Sequence, residues 1–397
     1  MKEENRQTVT PDVVGASQIH DGETATTPVR APVIWYIVGD RLGDNAQVET
    51  LVAGLDLPIQ RKYVCVKAPW IKGKPKVVPS LHHLDLEKTD LLEGPWPDLI
   101  ITVGRRLSMV ALWIQQQSGG RTRLVLIGKP SGQAKSFSLF ITSAEVQMPP
   151  APDLLKISMP LLRVDESRVR AAAEQWRDRL ANLPRPLIGI LVGGPTNPFV
   201  FNRRVENGLI QSALDVVKNS GGTPYITTSP RTPERTIRVL RERLPEQARF
   251  FEWQAGAEDN PYHALLGLAD GFVVTGDSIS MLVEVAKLRR PLAIFSLPYG
   301  LLHKIDQLRR VGARWLYEPD TGARSDVLRK WLRRIGGALH ILPRTRDFTA
   351  IHKLLIDRGL AVPAGTPLRP PEGEVPNDLP LVAERIDRLI AELPPGD

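Results

Sequence analysis

The stretch VVTGDSISMLVEVA gathers Thr275, Gly276, Asp277, Ser278 and Ser280 at one point, with Glu284 a helical turn beyond. An apolar run precedes these residues and a helical apolar period follows them, so the spacing predicts strand, turn and helix. N–H groups in the first turn of such a helix have no partner within it and carry partial positive charge. That suits a phosphate or pyrophosphate. Gly276 would let the backbone approach a ligand closely, and Ser278 and Ser280 would add hydroxyl donors. Glu284 would accept from ribose hydroxyls. The same turn also reads as a plain cap on Asp277 or Ser278, with Glu284 merely solvated.

Two neighbouring stretches bear on that choice. LVGGPTNPF places Gly193 and Gly194 after an apolar run, where paired glycines permit a tight turn. TTSPRTP supplies Thr228 and Ser229 at a strand end, then Arg231, a bidentate phosphate donor. Asn260 precedes Pro261 at a helix start and reads as its cap. Each feature alone has a structural explanation. Several at successive strand ends point to a nucleotide-diphosphate site.

The first half offers different chemistry. In GDRLGDNAQ, Asp40 and Asp44 are candidate general bases, because a carboxylate in a closed cleft can have its pKa raised toward neutrality. Acidic residues also favour a helix N-terminus for dipole reasons, and that reading stays open. Gly43 and Gln47 in the same loop, with Gly104, Arg105 and Arg106 in VGRRLS, would hold an anionic acceptor; surface arginines are the alternative. No metal site stands out: the seven histidines are scattered, and the adjacent His82 and His83 present no chelating helical face. The chain has no GxSxG elbow, P-loop or GxGxxG fingerprint. Its one cysteine, Cys65, excludes an internal disulfide and reads as a buried structural thiol.

Strands alternating with helices must position these residues. In the first half, strands are expected at 33–38, 63–68, 98–104, 122–128 and 136–142. In the second they are expected at 187–194, 224–229, 249–253, at the start of the 273–295 stretch and at 291–298, the last closing the sheet. Such alternation implies parallel sheets covered on both faces. The fold class is α/β, with two tandem Rossmann-like domains. The expected division is a disordered tail over 1–30, an N-terminal domain over 31–165 and a C-terminal domain over 186–376. A charged helix in 163–186 marks the boundary. A last amphipathic helix, 377–397, packs back on the domains.

Over 397 residues, 42% hydrophobic and 24% charged describe a globular chain of about two domains. The polar start lacks a signal-peptide core, and no apolar run reaches membrane-spanning length, so a cytoplasmic location is expected. A net charge of +8 invites acidic partners. Much of it lies in 328–346, where Arg329, Lys330, Arg333 and Arg334 flank Trp331, Leu332 and Ile335. That pattern suits a helix at a membrane surface, on the inner face of the cytoplasmic membrane; a helix docked on the core with solvated arginines is the alternative. Nothing interleaves basic and aromatic residues as nucleic-acid binding requires.

GDRLGDNAQ, PDLIITVGRRLSMVAL, RTRLVLIGKP, ILVGG, TTSPRTP, EDNPYHALLGLAD, VVTGDSISMLVEVA and RDFTAIHKLLIDRGLA, in that order, resemble the mitochondrial-fission ELM-type family from about Val33 to Leu393. That family is similar in fold to GT-B glycosyltransferases. The resemblance implies a nucleotide-sugar in the second domain, an acceptor in the first and a last helix crossing back to the first. It would line the donor pocket with Gly193, Gly194, Ser229, Arg231, Asn260 and the 276–280 turn, and give the ribose to Glu284. The implied activity is a metal-independent, inverting transfer to a lipid-linked or cell-envelope acceptor, with no cofactor and a nucleotide-sugar, UDP-linked among the candidates, as substrate. Asp44, before Asp40, would take the acceptor proton. A sugar-nucleotide epimerase and a catalytically silent scaffold at a membrane are the alternatives. Two departures bear on acceptor chemistry: ITSAEVQMPP lacks the family's histidine, which favours the scaffold, and Lys129 stands where the family has aspartate, whereas the retained donor-side motifs argue against the scaffold.

Overall fold

The computed structural model describes residues 31–71, 76–129, 134–300, 310–313, 315–317, 324–338 and 345–393. The expected tail over 1–30 lies outside the described residues, as do parts of 328–346 and the last four residues. Pro32–Leu393 form one compact unit.

The first half runs β1 (Ile34–Val38), α1 (Leu42–Val52), β2 (Ile59–Tyr63), β3 (Cys65–Val66), α2 (Ala68–Ile71), β4 (Leu84–Asp85), β5 (Leu99–Val103), α3 (Gly104–Gln117), β6 (Arg123–Ile127), β7 (Leu139–Ser143), β8 (Val146–Gln147) and β9 (Leu154–Ile157). Its main sheet has the order β2-β1-β5-β6-β7-β9, parallel throughout. The second half runs α4 (Glu166–Ala181), β10 (Leu187–Leu191), α5 (Arg203–Ser220), β11 (Thr223–Thr227), α6 (Glu234–Arg243), β12 (Arg249–Phe251), α7 (Tyr262–Leu268), β13 (Gly271–Thr275), α8 (Ile279–Lys287) and β14 (Leu292–Phe295). It continues through α9 (Arg324–Ala338), β15 (Thr345–Arg346), α10 (Thr349–Asp357), β16 (Val362–Pro363) and α11 (Leu379–Ala391). Here the order is β12-β11-β10-β13-β14-β16, again parallel.

Helices cover both faces of each sheet, so the central strands are buried on both sides and read as unbroken apolar runs. LIGIL in β10 and LIITV in β5 are wholly buried. The edges differ. The expected strand over 63–68 is instead β2, IQRKY, followed by the two-residue β3, which pairs antiparallel with β4. Arg61 and Lys62 are tolerated because β2 is an edge strand with one flank in solvent. Nor does 291–298 close the second sheet: β16 adds beyond β14, with Pro363 at the edge, where its missing N–H breaks no ladder. Cys65 is half-buried rather than enclosed.

The boundary helix joins the half that follows it, whereas the last helix packs on the half opposite to its place in the chain. Val169, Trp176 and Leu180 of α4 join the second core, and Gly267 of α7 packs against Ala173 and Val169. Val382, Ile386 and Leu389 of α11 join the first core. Asp378, just before α11, accepts from the Ser158 N–H at 2.7 Å, tying the returning chain down. The last helix therefore crosses back to the first half.

Candidate functional site at two switch points

In an open parallel sheet the crevice for a ligand lies outside the carboxyl ends of strands, where the strand order reverses. That point falls between β10 and β13 in the second half and between β1 and β5 in the first. Most of the sequence-predicted residues lie at these two places; Asn260 instead follows β12, two strands from the second-half switch point.

At the second-half switch point, the turn after β10 carries Gly193 and Gly194, and the turn after β13 carries Thr275–Ser278. β11 lies beside β10 and brings Thr228, Ser229 and Arg231 alongside. The two turns are bonded across the crevice: the Gly193 N–H donates to Thr275 Oγ1 at 2.8 Å and the Gly194 N–H to Asp277 Oδ2 at 2.9 Å. Arg231 Nη1 lies 3.1 Å from the same Asp277 oxygen and also donates to Thr196 Oγ1. Thr232, absent from the sequence reading, accepts from the Ser229 N–H at 2.9 Å and donates to the Gly193 carbonyl at 2.6 Å. The Thr228 hydroxyl accepts from the Trp253 N–H at 2.8 Å.

The glycines answer to these contacts. A Cβ on Gly193 would lie 2.3 Å from the Asp277 carboxylate, one on Gly194 2.1 Å from the Arg231 carbonyl oxygen, and one on Gly276 2.6 Å from the His352 ring. His352 Nε2 donates to the Gly276 carbonyl at 2.7 Å. Much of the turn's hydrogen-bonding capacity is thus already taken.

Some capacity remains. Arg231 is 44% exposed, and Ser280 is exposed on the first turn of α8, whereas Ser278 is buried. Asp277 Oδ1 and Thr227 Oγ1 are buried without a partner. Burial pushes the Asp277 carboxyl pKa up, partly offset by the Gly194 N–H and the Arg231 charge. Glu284 accepts from the Tyr262 hydroxyl at 2.7 Å. Burial raises its pKa and that bond pulls it back. Asn260 accepts from the Tyr262 N–H at 3.0 Å, so it caps the start of α7 and fixes the tyrosine that touches Glu284.

At the first-half switch point the two aspartates separate in role. Asp40 is engaged at both oxygens, by the Tyr63 hydroxyl at 2.9 Å and the Val66 N–H at 2.9 Å. That bond to Asp40 is the main reason the Tyr63 pKa is pushed up to about 12. Asp44 instead faces the start of α3, where a Cβ on Gly104 would lie 3.4 Å from its Oδ2. Burial raises the Asp44 pKa against the opposing charges of Arg41, Arg346 and Arg106. Asn45, which sequence reasoning missed, pins the loop by accepting from the Gly39 N–H at 3.0 Å and donating to the Gly39 carbonyl at 2.6 Å.

Arg106 is nearly buried and donates to the Ile71 carbonyl at 2.6 Å. Arg105 and Gln47 are half-buried, and Gly43 is exposed with open space around it. His83 is fully buried beneath this turn, its Nε2 3.3 Å from the Arg106 carbonyl. Burial drives its pKa down to about 4, so it is neutral.

A strap joins the two sites. β8 of the first half pairs antiparallel with β15 of the second. The Asp347 N–H donates to the Glu145 carbonyl at 2.6 Å, and Thr345 Oγ1 donates to Gln147 Oε1 at 2.7 Å. Arg346 Nη2 reaches the buried Glu145 carboxylate at 3.3 Å and bears on Asp44 from across the crevice. Glu145 belongs to the SAEVQ stretch that lacks the expected histidine. Among the described residues no group of three or more His, Cys, Asp or Glu is placed to hold a metal, and no helix is long and apolar enough to cross a membrane.

Two parallel-sheet halves, a crevice at each switch point and a last helix returning to the first half define a protein of two tandem Rossmann-like domains. Residues 43–313 match the family described as Mitochondrial fission ELM1, and the chain belongs to that family. The Arabidopsis thaliana protein named Mitochondrial fission protein ELM1 is 25% identical over 286 residues, 62% of this chain and 66% of that one. This chain therefore spans about two thirds of that relative's length. An uncharacterized protein, RP120, of Rickettsia prowazekii (strain Madrid E) is 24% identical over 312 residues, 68% of this chain and 86% of that one. Among solved structures, UDP-GlcNAc 2-epimerase from Methanocaldococcus jannaschii aligns with 90% of this chain and 99% of that chain, at 11% identity and a TM-score of 0.43.

Proposed function

We propose that the chain is a GT-B-type glycosyltransferase that takes a nucleotide-sugar in the second-half crevice and passes the sugar, without a metal ion, to a lipid-linked or cell-envelope acceptor in the first. UDP-linked sugars are the first class to try, and contact with an anionic membrane would bring the acceptor within reach. The observation that carries the reading is the gathering of the 193–194 turn, Arg231 and the N-terminus of α8 at the switch point between β10 and β13.

In this mechanism Asp44 accepts the proton of the acceptor hydroxyl, whose oxygen attacks the anomeric carbon as the bond to the diphosphate breaks. The raised pKa of Asp44 suits a base, and both oxygens of Asp40 are already occupied. Arg231 and the first turn of α8 stabilise the departing diphosphate. Glu284, oriented by Tyr262, takes the ribose hydroxyls.

A second reading, the catalytically silent scaffold, is favoured by Asp277. Its carboxylate sits between the Gly194 N–H and Arg231, where a diphosphate would bring its own negative charge.

Thermal denaturation against uridine, adenosine and guanosine diphosphates and their sugars separates the two. A ligand at a hundred times its Kd stabilises the fold by about 2.7 kcal/mol. The transferase reading expects one nucleotide class to do so, with the shift lost in Arg231→Ala and Glu284→Ala. No shift with any nucleotide would overturn it and leave the scaffold.

A further inference from the structure

Helix α9 is inside out. Its buried side carries an ion pair between Arg329 and Asp326, both almost fully enclosed. Arg329 Nη1 also donates to the Trp315 carbonyl at 3.4 Å, holding α9 against the helical residues 315–317. The outward side is apolar: Val327 is 72% exposed, Trp331 57%, Leu328 50% and Ile335 38%. At the 100° step of a helix these four fall within one arc of about a quarter turn. Lys330 and Arg334 are exposed along one border of the arc. Val311 and Trp315, in the helical stretches 310–313 and 315–317, are exposed as well. A helix docked on the core by its apolar face would turn Val327, Leu328 and Trp331 inward; here Arg329 and Asp326 are turned inward and Lys330 and Arg334 stay exposed.

Single exposed apolar residues need no explanation, but a contiguous arc with its polar pair turned inward does. We infer that the outward face of α9 seats on an anionic lipid bilayer, with Trp331 and Leu328 in the acyl boundary and Lys330 and Arg334 against lipid headgroups. This deepens the membrane-contact part of the proposed function by naming the surface. An aliphatic arc with a tryptophan inside it and cations at its border matches a helix lying in the membrane interface. The cationic border argues for anionic rather than neutral lipid.

The test is sedimentation of the full chain with vesicles of phosphatidylcholine alone and of phosphatidylcholine with phosphatidylserine. The expected result is binding to the anionic vesicles, weakening with added salt. Leu328→Glu/Trp331→Glu should reduce the partition by about tenfold or more. Lys330→Gln and Arg334→Gln should each reduce it by about fivefold. All of these side chains are exposed, so an unchanged melting temperature checks that each variant is folded. No binding by the unaltered chain, or equal binding by the variants, would overturn the inference. So would concentration-dependent dimerisation in sedimentation velocity that Trp331→Glu abolishes, because the face would then belong to a second copy. The nucleotide-induced shift in melting temperature is read separately, so loss of donor binding and loss of vesicle binding are distinguishable.

Discussion

The two switch-point crevices are built alike and filled differently. In the second half, the turns after β10 and β13 are bonded to each other through Thr275 and Asp277, and three glycines exist to let those contacts close. In the first half, the loop after β1 is pinned at Gly39 by Asn45 and at Asp40 by Tyr63, which leaves Asp44 facing the N-terminus of α3. One crevice is cross-bonded turn to turn, with Asp277 Oδ1 left over; the other keeps a partly buried carboxylate among arginines. A cross-bonded cradle suits holding a ligand in place, whereas a carboxylate with a raised pKa suits moving a proton.

The sharpest break in that comparison is a methyl group at each site. Gly194→Ala puts a Cβ against the Arg231 backbone, which cannot swing aside, and should cost about 3 kcal/mol in urea denaturation. If it is tolerated, the second-half crevice is not closed as described. Asp277→Ala comes next, at roughly 2 kcal/mol, because it leaves the buried Gly194 N–H unpaired. Asp277→Asn should cost less, since an amide oxygen keeps that bond and a buried charge disappears.

Under the first-half turn, His83 should give the fold an acid-sensitive limb. Its folded pKa of about 4 lies below the ordinary value of 6.5, so between them the unfolded chain binds the extra proton. Stability is complete above the ordinary value and falls as pH drops toward about 4. His83→Gln should flatten that limb in melting curves taken across the range. It should not abolish it, because burial lowers His263 and His352 in the same direction.

The smallest effect is the counterpart of the first. Gly43→Ala, within α1 and with open space around it, should be neutral or raise stability by up to about 1 kcal/mol. A loss there would show that the loop needs glycine for a reason other than packing.

Most strands were legible because the interior of a doubly covered parallel sheet is apolar without alternation, as in LIITV and LIGIL. β2 was misplaced because edge strands need not be apolar, and β16 escaped because two residues ending in proline leave no pattern. The candidate residues were legible as loops at strand ends. What each does with its hydrogen bonds was not. Thr232 and Asn45 look like ordinary loop residues, and His352 lies 76 residues from the Gly276 carbonyl to which it donates. The strap pairs β8 with β15 across some 200 residues, too far apart for any local spacing to register.

By itself, then, the sequence determined the α/β alternation, the two tandem halves and the polar turns after the strands, since these follow from local period and from glycine and hydroxyl residues at chain reversals. Only the tertiary structure decided which aspartate stays unengaged, that the glycine turns close on Thr275 and Asp277, and which side of α9 faces water. Those outcomes depend on groups distant in the chain meeting at hydrogen-bond distance, where burial and partner count, rather than residue type, set what a side chain can do.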